Sequence, residues 1–131
     1  MQNPFQIRFY AFLVNFRLFR IARLWGALIG FDLPLHLPDN LLLPHPYGVV
    51  IHSYSKIGSN CIVYQNVTIG SDKNGNVPVI GNNVVIFPGA VLIGKISIGD
   101  NCIVGANSFV NRNFSENLVI AGVPAKIISK I

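Results

Sequence analysis

Aliphatic residues recur along most of this chain with a period of six. Stepping from Ile51 gives Ile57, Val63 and Ile69, and restarting at Ile80 gives Ile86, Leu92, Ile98, Val104 and Val110. Two residues ahead of these positions stand smaller or medium side chains: Ser55, Cys61, Val67, Val84, Ala90, Ile96, Cys102 and Ser108. Glycine often follows the aliphatic residue (Gly58, Gly70, Gly81, Gly99, Gly105), and asparagine often comes three residues after it (Asn60, Asn66, Asn83, Asn101, Asn107, Asn113). Stepping back from Leu43 gives Leu37 and Phe31, which starts the pattern near residue 31.

A helix needs a period of about 3.6 residues and rejects so many glycines. An ordinary β-sandwich needs no fixed six-residue phase. The pattern predicts an all-β fold, a left-handed parallel β-helix shaped as a triangular prism. Each hexad makes one short strand and one turn, and three hexads close a coil. The aliphatic residue fills the interior and the smaller one sits inward near the corner. Gly and Asn supply turn conformations with positive φ. Stacked coils bury a continuous core, and Cys61 and Cys102 become small core residues.

The phase breaks twice. Ile69 to Ile80 is eleven residues instead of six, and the excess falls in SerAspLysAsnGlyAsnValPro at 71–78, a protruding loop. Leu43 to Ile51 is eight residues, so two extra lie near ProHisProTyrGly at 44–48. Loops on rigid scaffolds commonly carry chemistry.

Ahead of the repeat, residues 5–29 predict a helix with an apolar stripe of Ile7, Tyr10, Val14, Leu18, Ile21, Trp25 and Leu28. It caps the open end of the prism or packs in an oligomer. Its off-stripe arginines Arg8, Arg17, Arg20 and Arg23, interleaved with phenylalanines, also suit an anionic lipid surface. The expected organisation is a helical segment at 1–30, a β-helix at 31–115 and a tail at 116–131.

Hydrophobic residues make up 51% of the 131 and charged residues only 11%, which points to one domain that buries surface in a partner copy or meets a membrane. The net charge of +5 suits an anionic partner. The absence of helix-turn-helix, zinc-finger and RNP-like motifs argues against nucleic acid. No CxxC or ligand cluster supports a metal. The arginines interrupt the one apolar stretch long enough to span a bilayer and argue against a signal peptide. The expected location is the cytoplasm, with the inner face of the membrane as a peripheral alternative.

Residues 31–131 resemble the hexapeptide-repeat acyltransferases, especially the serine acetyltransferase group and related polysaccharide O-acetyltransferases. The repeat, the HisProTyrGlyValValIle run at 45–51, the interrupting loop and the ending AlaGlyValProAlaLys at 121–126 carry the resemblance. It implies a homotrimer with three sites in grooves between prisms, each holding acetyl-CoA along the groove, and no metal. It implies that His45 is the general base and that Asp32, in GlyPheAspLeu at 30–33, pairs with it. By the same match Gly70, Gly105 and Ala106 let CoA approach closely, and Lys126, with Lys130 behind it, meets CoA phosphates. Two departures stand out. Pro44 occupies the position of an acid before the histidine, and residues 71–79 lack the Arg-His pair that helps hold an amino-acid substrate.

The chemistry follows from these residue types. A hydroxyl is a weak nucleophile at neutral pH, and an imidazole that takes its proton accelerates attack on a thioester. A carboxylate on the far ring nitrogen fixes the tautomer and stabilises the imidazolium. His52 and His36 compete with His45 for the base role. The departures favour a sugar hydroxyl in glycan or polysaccharide biosynthesis as acceptor. Serine acetylation in cysteine biosynthesis and a non-catalytic β-helix scaffold are the alternatives.

Overall fold

The structure, a computed structural model, describes residues 4–15, 18–30, 32–34 and 37–131. Two helices, α1 (Phe5–Asn15) and α2 (Phe19–Ile29), precede the strands β1 (Val50–Ile51), β2 (Lys56–Ile57), β3 (Ile62–Val63) and β4 (Thr68–Gly70). Then come β5 (Val79–Ile80), β6 (Val85–Ile86), β7 (Val91–Ile93), β8 (Ser97–Ile98), β9 (Ile103–Val104) and β10 (Phe109–Val110). Two longer strands, β11 (Leu118–Gly122) and β12 (Ala125–Lys130), close the chain.

The strands form the three faces of a left-handed parallel β-helix. The first face runs β1-β4-β7-β10, the second β2-β5-β8, and the third β3-β6-β9-β11-β12. Every pairing within the coils is parallel and keeps the hexad phase, as in Ile51↔Ile69, Ile57↔Ile80 and Val63↔Ile86. Only β12 turns back, pairing antiparallel with β11. The 116–131 segment is therefore a hairpin that extends the third face.

The inward aliphatics Ile51, Val63, Ile69, Ile86, Leu92, Val104 and Val110 are all within 2% of full burial, and Cys61 and Cys102 are fully buried among them. Each thiol donates to a carbonyl of the next coil, Cys61 Sγ to Gly81 at 3.2 Å and Cys102 Sγ to Ser115 at 3.1 Å. Burial pushes both thiols above their ordinary pKa. Asn60, Asn66, Asn83, Asn101 and Asn107 hold the left-handed turn conformation, with φ between 54° and 58°. Asn113 does not; its side-chain oxygen accepts the Ser97 N–H instead, at 2.9 Å.

The glycines after the aliphatic positions serve a different purpose from the one expected. Gly58, Gly70, Gly81, Gly99 and Gly105 all lack positive φ. A Cβ on Gly58 would stand 2.6 Å from the Gly81 carbonyl of the next coil. Gly58, Gly81, Gly99 and Gly105 allow coils to approach, whereas a Cβ on Gly70 would meet only ordinary contacts; asparagine and a few other glycines make the left-handed turns.

The start of the repeat also differs from a count by sixes. Asp32 bridges Val50, so Leu33 rather than Phe31 stands one coil above Ile51; Phe31 lies outside the described residues. Leu42 bridges Ile62, twenty residues on rather than eighteen. The segment between Leu33 and Leu43 is two residues short and the 44–48 turn two residues long, and the offsets cancel.

The predicted single helix is two helices packed on each other. Phe9 of α1 meets Trp25 of α2 edge to face at 4.8 Å. Ile7 and Tyr10 of the expected stripe are buried, but Leu18, Ile21 and Leu28 are exposed. The pair sits against the first coil: the Tyr10 hydroxyl donates to the Leu33 carbonyl at 2.8 Å, and Gly48 N–H to the Gly30 carbonyl at 2.6 Å. Among the described residues no helix is long and apolar enough to cross a membrane.

Candidate active site

Both breaks in the hexad phase fall at corners of the prism, and they fall at different corners. The 44–48 turn links the third face to the first. Below it on the same corner stack the turns around Gln65, Pro88 and Ala106, tied by Asn66 N–H to Tyr47 O at 2.9 Å, Gly89 N–H to Gln65 O at 3.1 Å and Asn107 N–H to Pro88 O at 2.9 Å. The two surplus residues push His45 outward. It is exposed, and among the described residues no hydrogen bond reaches its ring.

Asp32 joins this corner from the first face. Its N–H donates to Val49 O at 2.8 Å and its carbonyl accepts from Ile51 N–H at 2.8 Å, so it caps the strand that leaves the 44–48 turn. The Tyr10 hydroxyl secures the next two residues, reaching Leu33 O at 2.8 Å and Pro34 O at 3.2 Å. Burial foremost, and then the Asp32 charge, raise the Tyr10 phenol pKa; Arg23 acts in the opposite direction. The fold thus brings Asp32 and His45 to one corner, but no hydrogen bond joins them within the chain.

Gly105 and Ala106 lie three coils along the same corner from His45. Strand spacing makes that about 14 Å. Between them Tyr64 and Phe87 stack with ring centroids 5.5 Å apart and planes within 9°. Sequence reasoning missed this aromatic pair. The signal was present: Tyr64 and Phe87 directly follow the inward Val63 and Ile86, the same phase that Gly105 occupies after Val104. Gly105 has its own packing reason, since a Cβ there would stand 2.7 Å from the Ala121 Cβ.

Lys126 pairs with Ala121 across the β11–β12 hairpin. It lines a cavity of about 510 Å³ at the end of the prism, together with Arg112, Phe114 and Ile127. Arg112 donates to the Ala125 carbonyl at 2.7 and 3.2 Å and covers the Phe114 ring at 5.6 Å. Arg112 is a second cation beside Lys126 that the sequence reading did not single out.

Gly70 belongs to the other corner, where the first face turns into the second. It ends β4, and the 71–78 loop leaves from it. That loop is wrapped around Asp72. Its carboxylate accepts from Asn74 N–H at 2.8 Å, Asn76 N–H at 3.0 Å and the Asn76 side chain at 2.8 Å. The Asn76 side chain leads in lowering the Asp72 pKa. His52 occupies the same corner one coil earlier. Tyr54 N–H donates to its Nδ1 at 3.3 Å. A backbone donor at Nδ1 favours the tautomer that carries its proton on Nε2. His36 lies outside the described residues. Among the described residues no group of three or more His, Cys, Asp or Glu side chains gathers to hold a metal.

Comparison with known proteins places this geometry. The family model for the bacterial transferase hexapeptide (six repeats) matches residues 78–112. Serine acetyltransferase of Synechococcus elongatus is 35% identical over 95 residues, which cover 70% of this chain and 39% of that protein. The crystal structure of Neisseria gonorrhoeae serine acetyltransferase superposes with a TM-score of 0.81 at 29% identity, covering 94% of this chain and 51% of that one. Serine acetyltransferase from Brucella abortus, in complex with coenzyme A, superposes with a TM-score of 0.77 at 25% identity, covering 95% of this chain and 54% of that one. The chain spans about half or less of the length of these relatives.

Proposed function

Starting from a chain that belongs to the hexapeptide-repeat group in which the serine acetyltransferases fall, we propose that it transfers an acetyl group from acetyl-CoA to a hydroxyl. The observation that carries the reading is the placement of His45. An exposed imidazole without a partner among the described residues heads a corner that runs past Gly105 and Ala106 towards the hairpin bearing Lys126. Acetyl-CoA laid along that edge presents its thioester at the histidine. His45 takes the proton of the acceptor hydroxyl as its oxygen attacks the carbonyl carbon. The C–S bond then breaks, and the thiolate of CoA leaves and takes up the proton from the imidazolium. Asp32, at the same corner, orients the ring once both substrates close the site. Gly105, Ala106 and Lys126 hold CoA; Gly70, at the opposite edge of the first face, contributes to a site on a neighbouring copy. A site that uses both corners therefore needs two prisms, and a homotrimer supplies three such pairs.

The relatives reported above are serine acetyltransferases, and they support L-serine as the acceptor in place of the sugar hydroxyl expected from the sequence. A non-serine hydroxyl is kept as the second reading on one observation. The 71–79 loop offers no Arg or His, its one carboxylate is occupied by Asn74 and Asn76, and Pro44 stands beside His45, which leaves Lys73 as the loop's one cation to meet an amino acid, without the Arg-His pair. A thiol-release assay with acetyl-CoA decides both points. Turnover with serine that His45→Ala abolishes supports the serine reading. Turnover with sugars alone supports the second, and the absence of any acetyl-CoA binding sinks the enzyme.

A further inference from the structure

The net charge of this molecule is concentrated in one small part, which also exposes large apolar side chains. Residues 1–31 contain Arg8, Arg17, Arg20 and Arg23 and no acid, so they carry +4 of the net +5; residues 32–131 hold six basic and five acidic side chains, a balance of +1. Exposed large apolar side chains gather on the same segment. On α2 Ile21 is 51% exposed, Leu24 61% and Leu28 72%.

These residues form a designed-looking face rather than a scatter. At 100° per residue Ile21, Leu24 and Leu28 fall within one narrow stripe of α2, with Arg20 at its edge and Arg23 farther round the same side. The opposite side of α2 is buried through Ala22 and Gly26, with Trp25 packed on Phe9. The outward stripe is thus left over after the helix pair has packed. Water-exposed leucine and isoleucine are unfavourable in solution, and beside arginine they match a surface with an apolar interior and an anionic rim.

We propose that the outer face of α2 docks the chain on an anionic lipid surface, lying in the plane of the interface rather than crossing it. Neither helix is long enough to span a bilayer. Leu24 and Leu28 enter the acyl boundary, and Arg20 and Arg23 meet lipid phosphates. The consequence for the site is geometric. The helix pair is bonded to the first coil through Tyr10 and Gly30, and that coil carries Asp32 and the turn of His45. Docking therefore holds the His45 end of the prism nearest the lipid and the Lys126 end away from it. The docking stands whether or not the catalytic reading does.

The test is co-sedimentation of the full chain with vesicles of phosphatidylglycerol and phosphatidylcholine, against phosphatidylcholine alone, at physiological and at high salt. The expected result is pelleting with the anionic vesicles only, weakened by salt. Arg20→Gln with Arg23→Gln should reduce partitioning ~25-fold, at roughly five-fold per charge. Leu24→Ser with Leu28→Ser should reduce it ~10-fold or more, and both variants should keep the thermal transition of the parent. Failure of the folded parent to bind anionic vesicles overturns the proposal. So does light scattering in which Leu24→Ser with Leu28→Ser dissociates an oligomer, because a second copy would then cover the stripe. Vesicle binding with no acetyl-transfer activity would leave the docking standing and remove the enzyme.

Discussion

Gly105 offers two separate reasons for having no side chain, and one double substitution distinguishes them. As a residue beside bound CoA, it is small to admit the ligand. As a residue of the last coil, it is small because the Ala121 Cβ would stand 2.7 Å from its own, and the Ile120 carbonyl oxygen lies 3.5 Å away. Two carbons need about 3.5–4.0 Å, so Gly105→Ala must push β11 from β9 by most of an ångström. The pairing it strains includes the Gly105 N–H to Ile120 O bond at 2.8 Å. Overpacking of this kind costs about 1–3 kcal/mol. For a chain of this size that is a fall in Tm of roughly 4–12 °C. Ala121→Gly alone should cost about 0.5–1 kcal/mol through lost strand preference. The double variant, free of the clash, should be little worse than Ala121→Gly, giving a coupling of about 1–3 kcal/mol between the two positions.

Thermal unfolding at one fixed protein concentration, so that assembly does not shift the midpoint, measures the cycle, and the KM for acetyl-CoA is read on the same four proteins. If packing is the reason, Ala121→Gly restores the stability that Gly105→Ala loses. If ligand clearance is also a reason, KM stays raised in the stable double variant. Strict additivity of the two stability losses would refute the packing argument. An unchanged Tm with a raised KM in Gly105→Ala would assign the glycine to the ligand alone.

His45→Ala should lower kcat by roughly 10²- to 10⁴-fold and move Tm little, because the side chain is exposed; His52→Ala should do much less, and the reverse ranking in the thiol-release assay would exchange their roles. Tyr10→Phe should cost about 1–2 kcal/mol by leaving the Leu33 carbonyl without its donor, seen as a lower urea midpoint and faster amide exchange at residues 32–34. Cys61 and Cys102 have folded pKa values raised above the ordinary 9.0. Their contribution to stability is then complete below about pH 9 and is lost as pH rises through the folded values, so Cys61→Ala with Cys102→Ala should flatten the alkaline side of a stability–pH curve, and an unchanged curve would count against it.

The prism was legible because a six-residue phase leaves each side chain only one place to point. Once Ile51, Val63 and Ile69 face inward, Ile86, Leu92 and Val104 must follow, and the parallel registers obey that rule. What sequence could not give was the count across a break. Leu43 lies eight residues before Ile51, and stepping back by sixes selects Phe31, although a compensating shortfall places Leu33 in the core. Glycine misled in a related way. Positive φ and close approach both demand it, and only the neighbouring coil, as at Gly58, shows which applies. The single apolar stripe over 5–29 failed because a helix period cannot register a chain reversal; the structure buries Tyr10 and exposes Leu28. The site divides along the same line. That His45 shares a corner with Gly105 and Ala106 follows from counting coils, since each stands just past an inward residue of the third face. That Asp32 reaches this corner depends on the offsets cancelling, and that Gly70 and His52 stand on another corner decides how the pieces combine. Residues at opposite edges of one flat face do not converge inside one prism. The chemistry assigned to His45 and the contribution assigned to Gly70 are consistent with each other when the edge of a second prism faces the first.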